Sequence, residues 1–363
     1  MTRIVLILYT VTALIGLFWG LCAPVDAQAV ESSWWRDDAI DNLLESIEVD
    51  EPMTYGGMTL FPVRLRKGYS DFEPATFDQA IRKGDLVVKE IGEGRVDTVR
   101  VKNHGRRPVF IMAGEIMSGS KQDRIARHDV LIPKRSGWIE ISVYCVEAGR
   151  WEAKTSQFSS KGSVAHPGLR KKAYGGQRQE SIWSEVDSMA GELGVRQSRD
   201  RAFQEVYEDR DVQKKIDEYM KGLPIPRHLG AVGFVAFSGH RVIGADVFGN
   251  EALFEGLRDK LIRSYILSVN KGRGEWGGRP SQHEAARFLA RAWSDHCKRT
   301  AISTPGMGEN YRLRNDTEST SGGASLYRHK SVHVSLFPES VKTGPVPLPM
   351  PMPQPVPRQR IPE

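Results

Sequence analysis

Cysteine is scarce in this chain, with three residues among 363. They are Cys22, Cys145 and Cys297, and the N-terminal cleavage expected below would remove the first. One bridge cannot staple a fold of this size, so the chain has to bury a conventional hydrophobic core. The residues alone leave open whether Cys145 and Cys297 form a disulfide or remain two separate buried thiols.

The motifs of common catalytic, nucleotide and metal sites are also missing. The chain contains no H-E-x-x-H, C-x-x-C, G-x-S-x-G, Walker loop or G-x-G-x-x-G. His329 and His333 are four residues apart, but the same-face position between them is Ser331, so both histidines are predicted to lie at the surface. We therefore predict no metal site, and the cofactor is left unknown.

Long hydrophobic runs are absent except at the N-terminus. Arg3 precedes an uncharged run from Ile4 to Leu21, and residues 27–29 read Ala-Gln-Ala, a small-residue cleavage pattern. Residues 1–29 are therefore predicted to be a cleaved signal peptide, and the mature protein to be secreted or periplasmic without a stable membrane span. The alternative is an uncleaved segment that anchors the protein to a membrane.

The overall composition is that of an ordinary folded protein. Hydrophobic residues make up 40% and charged residues 26%, which excludes full-length disorder and a multi-span membrane protein. We predict an acidic amphipathic helix at 30–51 and one large domain at 52–340. Residues 341–363 alternate proline with other residues, which predicts an extended tail able to meet a protein partner.

The net charge of +6 is distributed unevenly. Residues 30–93 carry 7 basic and 14 acidic side chains, net −7, whereas residues 94–178 carry 17 basic and 7 acidic ones, net +10. A surface that binds a small anion is therefore expected in the second stretch. Export, the missing recognition motifs and the few interleaved aromatic residues argue against nucleic acid as that anion.

The hydrophobic periodicity predicts an α+β fold that is rich in strands in its first half. The clearest strand is 138–146, where apolar and polar residues alternate. The other predicted strands are 58–65 (placed at a sheet edge because of Pro62), 86–91, 95–102, 108–113 and 130–132. Several short strands at close spacing indicate an antiparallel sandwich or an open barrel.

The second half is predicted to contain helices and a β-hairpin. Residues 151–179 have little periodicity and are predicted to form a long loop. Helical spacing marks 180–193, 201–221, 251–270 and 284–297. A hairpin is predicted at 231–248 and a final hairpin or strand pair at 326–337. Asp246, between apolar neighbours in the first hairpin, is predicted to pair with an arginine.

The densest cluster of polar residues lies at 114–151. The candidate ligand-binding residues are Lys121, Gln122, Arg124, Arg150 and Trp151, and the candidate catalytic carboxylates are Glu115, Asp123 and Glu147. Arginine offers a planar fork of donors to an anion, a carboxylate can act as acid or base, and tryptophan can stack on a ligand. Gly119 and Gly149 would let the backbone approach a ligand. The alternative is a purely structural network of arginines and carboxylates.

These same motifs resemble a known family. Gly114-Glu115, residues 119–124 and the segment Cys-Val-Glu-Ala-Gly-Arg-Trp at 145–151 are similar to the ARG and rhodanese-phosphatase-superfamily-associated protein domain, in which ARG means ADP-ribosylglycohydrolase. The likeness covers roughly residues 50–275. It implies, by association, a role near ADP-ribose, NAD-derived or other phosphorylated metabolites, and it supplies no catalytic residues.

Two functional hypotheses follow from these observations. The first is an exported protein that binds, and could also process, a small anionic ligand through the 114–151 cluster. The second is a non-enzymatic interaction protein of the cell envelope, in which that cluster is a structural charge network. Whether the protein is an enzyme is left undecided.

Overall fold

The computed structural model describes residues 39–66, 69–92, 94–150, 152, 155–223, 230–269, 279–292 and 294–339. A helical segment at 39–46 precedes the first strand. The strands are β1 (Ile47–Val49), β2 (Met53–Tyr55), β3 (Met58–Leu65), β4 (Ala75–Thr76), β5 (Leu86–Lys89), β6 (Thr98–Asn103), β7 (Val109–Ile111), β8 (Glu115–Gly119), β9 (Arg124–Ala126), β10 (Val130–Ile132), β11 (Ile139–Cys145), β12 (Phe158–Val164), β13 (Ala231–Ser238), β14 (Arg241–Phe248), β15 (Cys297–Ile302), β16 (Glu309–Asn315), β17 (Thr320–Tyr327) and β18 (Lys330–Pro338). The helices are α1 (Phe77–Lys83), α2 (Pro167–Tyr174), α3 (Gln179–Leu193), α4 (Phe203–Glu208), α5 (Arg210–Gly222), α6 (Glu251–Leu267) and α7 (Gln282–Ala290).

A curled sheet of six strands forms the first half of the fold. Its order is β12–β8–β9–β11–β6–β5, and the two end strands lie close to each other, so the sheet bends into a half-barrel that we call the small barrel. Alternate residues of β6 are buried, because one face of each strand lines the apolar interior. Helix α1 and the three-stranded sheet β10–β7–β4 pack on the same interior. Of the two predicted alternatives, an antiparallel sandwich or an open barrel, the curled sheet matches the open barrel.

A larger antiparallel sheet joins the second half to the first. Its order is β1–β3–β13–β14–β18–β17–β16–β15, with β2 paired to β3. The predicted hairpin forms β13 and β14 at its centre, and α6 packs against both strands. The final hairpin, β17 and β18, also forms as predicted. Antiparallel sheets with helices in the second half confirm the α+β fold class.

The edge position predicted for 58–65 is wrong. Strand β3 has β13 on one side and β1 on the other. Pro62 lacks an N–H, but its carbonyl accepts a hydrogen bond from the backbone N of Asp50 at 2.8 Å. A proline removes one donor from a ladder, and here the neighbouring chain still pairs with the strand around it.

The long loop predicted at 151–179 is also wrong, because β12 and α2 lie within it. Strand β12 has the sequence Phe-Ser-Ser-Lys-Gly-Ser-Val and a register shift against β8 between Ser160 and Val164, so apolar alternation could not reveal it. The helix predicted at 284–297 ends at Ala290, and Cys297 begins β15 instead.

The acidic helix predicted at 30–51 is described only from residue 39. Residues 39–46 are helical, and Ile40, Leu43 and Leu44 are buried in a core cluster against the larger sheet. The chain becomes strand β1 at Ile47. The predicted signal peptide and proline-rich tail lie outside the described residues. Among those residues, no helix combines the length and apolarity needed to cross a bilayer.

Candidate functional site

Except for Glu115, the described predicted site residues lie around the turn between β8 and β9 and just after the end of β11, at one end of the small barrel. Arg124 is opposite Cys145 in the β9–β11 register. Ala126 and Val143, two residues away on these strands, belong to the barrel core. Because alternate residues of a strand share a face, Arg124 and Cys145 face the barrel interior, whereas Asp123 faces away from it. The structure thereby divides the predicted residues into separate groups.

Arg124 belongs to what we call the mouth group, made of Glu90, Lys121, Gln122, Arg124 and Cys145. The side chain of Arg124 is 0% exposed. Its Nη1 donates to Oε1 of Gln122 at 3.1 Å, and the thiol of Cys145 donates to the same oxygen at 3.2 Å. The amide nitrogen of Gln122 donates to the carbonyl of Glu147 at 2.8 Å. Gln122 therefore fixes one edge of the guanidinium.

On the opposite edge of the Arg124 guanidinium, Nε and Nη2 are buried and have no hydrogen-bond acceptor among the described residues. Both carboxylate oxygens of Glu90 likewise accept no hydrogen bond, although Oε1 lies 3.5 Å from Nη2. Lys121 lies beside them, since a Cβ added to Gly94 would be 3.1 Å from its Cδ and 3.7 Å from Oε2 of Glu90. Two cations and one carboxylate therefore gather at the mouth.

Cys145 carries a buried thiol that is held in its protonated form. Burial raises the pKa of its thiol to about 11, with Arg124 lowering it and Glu90 raising it further. A thiol with that pKa is protonated at neutral pH, and the thiolate is the reactive form. Cys145 and Cys297 are both free, so the choice left open by the sequence is decided against a disulfide.

Asp123, Glu147 and Arg150 form a second group, which we call the clamp. Arg150 grips Glu147 with two parallel hydrogen bonds, from Nε to Oε1 at 2.6 Å and from Nη2 to Oε2 at 2.5 Å. Its Nη1 donates to the carbonyls of Ser120 and Glu152 at 2.6 and 2.7 Å. The remaining carboxylate, Asp123, is an ion-pair partner at 3.6 Å. The protein itself therefore uses the donors of Arg150.

The clamp ties the β8–β9 turn to the chain that follows β11. Oε2 of Glu147 accepts a hydrogen bond from the backbone N of Asp123 at 2.8 Å. The Asp123 carboxylate in turn accepts bonds from the backbone N of Gly119 and the hydroxyl of Ser118, both at 2.9 Å. Burial raises the pKa of Asp123, because desolvation and the nearby Glu147 outweigh these hydrogen bonds and Arg150.

Gly119 and Gly149 make room for the protein's own chain. A Cβ on Gly149 would lie 2.1 Å from the carbonyl oxygen of Arg199, and its N–H donates to the carbonyl of Asp200 at 2.9 Å. Gly119 has φ +122°, and a Cβ there would lie 2.6 Å from the hydroxyl oxygen of Thr155. The close approach expected at these two glycines is thus made by neighbouring segments of the same chain.

Glu115 lies at the other end of β8, away from the clamp. Its carboxylate pairs with the Lys260 ammonium from α6 and accepts a hydrogen bond from the backbone N of Met112 at 3.0 Å. Lys260 also binds Asp78 of α1 at 2.9 Å. Burial raises the pKa of Glu115 to about 7; Lys260 opposes the shift and Asp78 adds to it. Glu115 therefore belongs to a buried charge cluster separate from the other candidates.

The predicted arginine partner of Asp246 is confirmed. Nη1 and Nη2 of Arg170 bind the two oxygens of Asp246 at 2.8 and 2.6 Å, and both side chains are fully buried. Tyr265 and Ser335 donate to the same carboxylate at 2.8 and 2.6 Å. This network joins α2 and α6 to the larger sheet.

The surface position predicted for His333 is wrong, whereas His329 is exposed as expected. His333 is fully buried between Asp129, 2.7 Å from Nδ1, and Asp246, 3.0 Å from Nε2. Burial opposes its charged form, but the two carboxylates raise the pKa of His333. Sequence reasoning missed this histidine because β18 is buried on both faces, so alternation did not separate an inner from an outer side.

Two surface clefts lie elsewhere in the fold. One has a volume of about 930 Å³ between the start of α6 and residues 64–73, and the other about 550 Å³ along α7. None of the predicted site residues lines either cleft. Within the described ranges, no cluster of three or more His, Cys, Asp or Glu side chains is suited to a metal ion. Trp151, predicted to shape the site, falls outside the described residues.

Comparison with known proteins identifies the family. Neither the curated proteins nor the solved structures contain a match to this chain. A family model does match, over residues 46–337, and it spans the small barrel, the larger sheet, the clamp and the mouth group. The chain belongs to the family of the ARG and Rhodanese-Phosphatase-superfamily-associated Protein domain, as its motifs indicated.

Proposed function

We propose that the protein is exported and binds a small anionic ligand at the mouth of the small barrel, held by Lys121 and Arg124, with Gln122 positioning the Arg124 guanidinium. The observation that carries the proposal is the buried Arg124 guanidinium, whose Nε and Nη2 lack an acceptor among the described residues. A buried donor without a partner costs about 1–3 kcal/mol, more when it is charged, so an anion that fills this edge gains binding energy. Barrel mouths are frequent ligand sites.

The other candidate residues have positioning roles in this proposal. Asp123, Glu147 and Arg150 hold the β8–β9 turn that carries the ligand-binding residues, and Trp151 follows this clamp in sequence. Glu115 takes no part, because Lys260 and Met112 occupy its carboxylate. The family name associates the domain with ADP-ribosylglycohydrolase, so ADP-ribose and other phosphorylated metabolites are the first ligands to test.

Thermal unfolding with added ligands tests the binding proposal. ADP-ribose, NAD or inorganic phosphate at millimolar concentration should raise the Tm of the protein, because binding to the folded state alone stabilises it. Arg124→Lys keeps the charge beside Glu90 but removes the fork, and should abolish the shift. Arg95→Lys, at an exposed position before β6, is the matched control and should keep it. A parent protein that no anion shifts would contradict the proposal.

Export is tested separately from binding. The signal predicted at 1–29 should be removed, so N-terminal sequencing of the mature protein from its native host should begin at Val30. The protein should also fractionate outside the cytoplasm. Recovery of the protein in the membrane fraction with its N-terminus intact would contradict cleavage. It would support the alternative, in which an uncleaved segment anchors the protein to a membrane.

A second function is supported by the saturated clamp. Four hydrogen bonds satisfy the Arg150 guanidinium from within the protein. This observation favours a non-enzymatic envelope interaction protein whose charged motif only stabilises the fold, with the proline-rich segment 341–363 meeting a protein partner. In that case Arg124→Lys should change the free energy of unfolding without affecting the binding of any small anion.

A further inference from the structure

Arg150 and Arg124 use the same edge of the guanidinium differently. Arg150 binds the two oxygens of the Glu147 carboxylate through Nε and Nη2 at 2.6 and 2.5 Å. The same two nitrogens of Arg124 have no hydrogen-bond acceptor among the described residues. A guanidinium presents Nε–H and Nη2–H side by side, so the group that completes Arg124 has two oxygens on one atom, as in a carboxylate or a phosphate.

Glu90 adds a second requirement on the ligand, a group that donates a hydrogen bond rather than one that accepts it. Both of its carboxylate oxygens are buried and accept no hydrogen bond from the described residues, and Oε1 is 3.5 Å from Nη2 of Arg124. A bare anion seated on Arg124 would face this carboxylate and be repelled by it. An anion that also carries an O–H or N–H group would instead donate to Glu90.

We infer that the mouth selects an anion with a hydrogen-bond donor close to its charged group, such as an α-hydroxy or α-amino carboxylate or a hydroxylated phosphate ester. The inference rests on the proposed anion site and specifies its ligand. Arg124 binds the anionic group, Glu90 accepts from the neighbouring hydroxyl or amine, and Gln122 holds the far side of the guanidinium in place. Lys121 adds positive charge at the rim.

Matched pairs of small probes test this selectivity. Glycerate is compared with propionate, and glycerol 1-phosphate with n-propyl phosphate, by calorimetric titration of the full-length protein. In each pair the hydroxylated probe should bind at least about tenfold more tightly, because a hydrogen bond to a buried charged group is gained and repulsion by Glu90 is offset. The pair with the larger ratio of affinities shows whether the anionic group of the ligand is a carboxylate or a phosphate.

The variant Glu90→Gln separates this inference from the anion site itself. Removal of the negative charge should raise the affinity for propionate and n-propyl phosphate and reduce each ratio to within about twofold. Glu140→Gln, at an exposed carboxylate on β11, should leave the ratios of the parent unchanged. Circular dichroism confirms folding, and the probe pairs on the parent protein decide the matter even if Glu90→Gln does not fold.

Three outcomes are distinguishable. Discrimination in the parent that collapses in Glu90→Gln supports the inference. Equal binding of both members of each pair overturns it and leaves the anion site standing. Failure of all four probes, with ADP-ribose and phosphate also inactive, overturns the site as well; an ordered water between Arg124 and Glu90 would then satisfy both side chains.

Discussion

Arg150 and Arg124 are two buried arginines connected through Gln122, and they differ in what their side chains bind. The protein itself supplies four hydrogen bonds to Arg150, two to the Glu147 carboxylate and two to the backbone carbonyls of Ser120 and Glu152. Arg124 is more deeply buried but keeps the corresponding edge without an acceptor among the described residues. Charge and burial alone therefore do not distinguish the two arginines. The difference on which the proposed site rests is that Nε and Nη2 of Arg124 have no hydrogen-bond acceptor among the described residues.

The largest expected effect comes from breaking the clamp. Glu147→Ala should lower the free energy of unfolding by about 3–5 kcal/mol, because it leaves Arg150 buried without its carboxylate. Urea denaturation measures the loss. Glu140→Ala, which removes a partner 3.6 Å from the exposed Arg95, is the control and should cost roughly 0–1 kcal/mol. A loss as small as that of the control would show that the clamp is not a structural element.

A smaller loss of stability is expected when Glu90, the glutamate of the mouth group, is replaced by alanine. Glu90→Ala should cost about 1 kcal/mol, because Glu90 accepts no hydrogen bond from the described residues that would be lost and pairs with Arg124 only at 3.5 Å. The same denaturation series measures it. Equal costs for Glu90→Ala and Glu147→Ala would remove the contrast between the two arginines.

The pH dependence of stability should reveal the third charged group, around Glu115. The pKa of Glu115 in the folded protein is about 7, above its ordinary value of 4.5. Between these two values the folded state binds more protons than the unfolded chain, so the contribution of Glu115 to stability falls as pH rises through this window. Glu115→Gln should therefore become more stable relative to the parent from pH 5 to pH 8. The difference in free energy of unfolding at each pH measures this, and a constant difference would contradict it.

The smallest effect concerns access to the mouth. Burial raises the pKa of both free thiols, but Cys145 is 0% exposed whereas Cys297 is partly exposed. Cys297 should react first with a thiol reagent under native conditions, and Cys145 only as the protein opens. The variant Cys297→Ser, prepared without residues 1–29 and therefore without Cys22, isolates the mouth thiol. Its fast labelling would mean that the mouth is open to reagents larger than the proposed ligand.

The sequence predicted those parts of the fold where one face is buried and the other exposed. The alternation at 138–146 identified β11, and its neighbours correctly indicated an open barrel. Strand β12 carries serine, lysine and glycine at its centre, and β18 is buried on both faces, so neither has a period that separates inside from outside. The burial of His333 was missed because β18 is buried on both faces.

The sequence predicted which stretch of the chain carries the candidate site residues, but not which of their side chains contact one another. The residue types and their positions at 114–151 identified the clamp and every member of the mouth group except Glu90. Spacing could not show that Lys260, 145 residues along the chain from Glu115, would occupy its carboxylate. Nor could it show that Glu90 would lie against Arg124, because such long-range contacts depend on how the sheet curls.

The amide of Gln122 has a fixed orientation, since its oxygen accepts from Arg124 and its nitrogen donates to the carbonyl of Glu147. One side chain thus connects the Arg124 guanidinium to the backbone of Glu147 in the clamp. In the proposed site, a ligand that shifts Arg124 would tighten or loosen the clamp through this single amide, and by thermodynamic reciprocity the clamp would change the affinity for the ligand by the same factor. Gln122 would thereby couple the stability of the β8–β9 turn to binding of the proposed ligand.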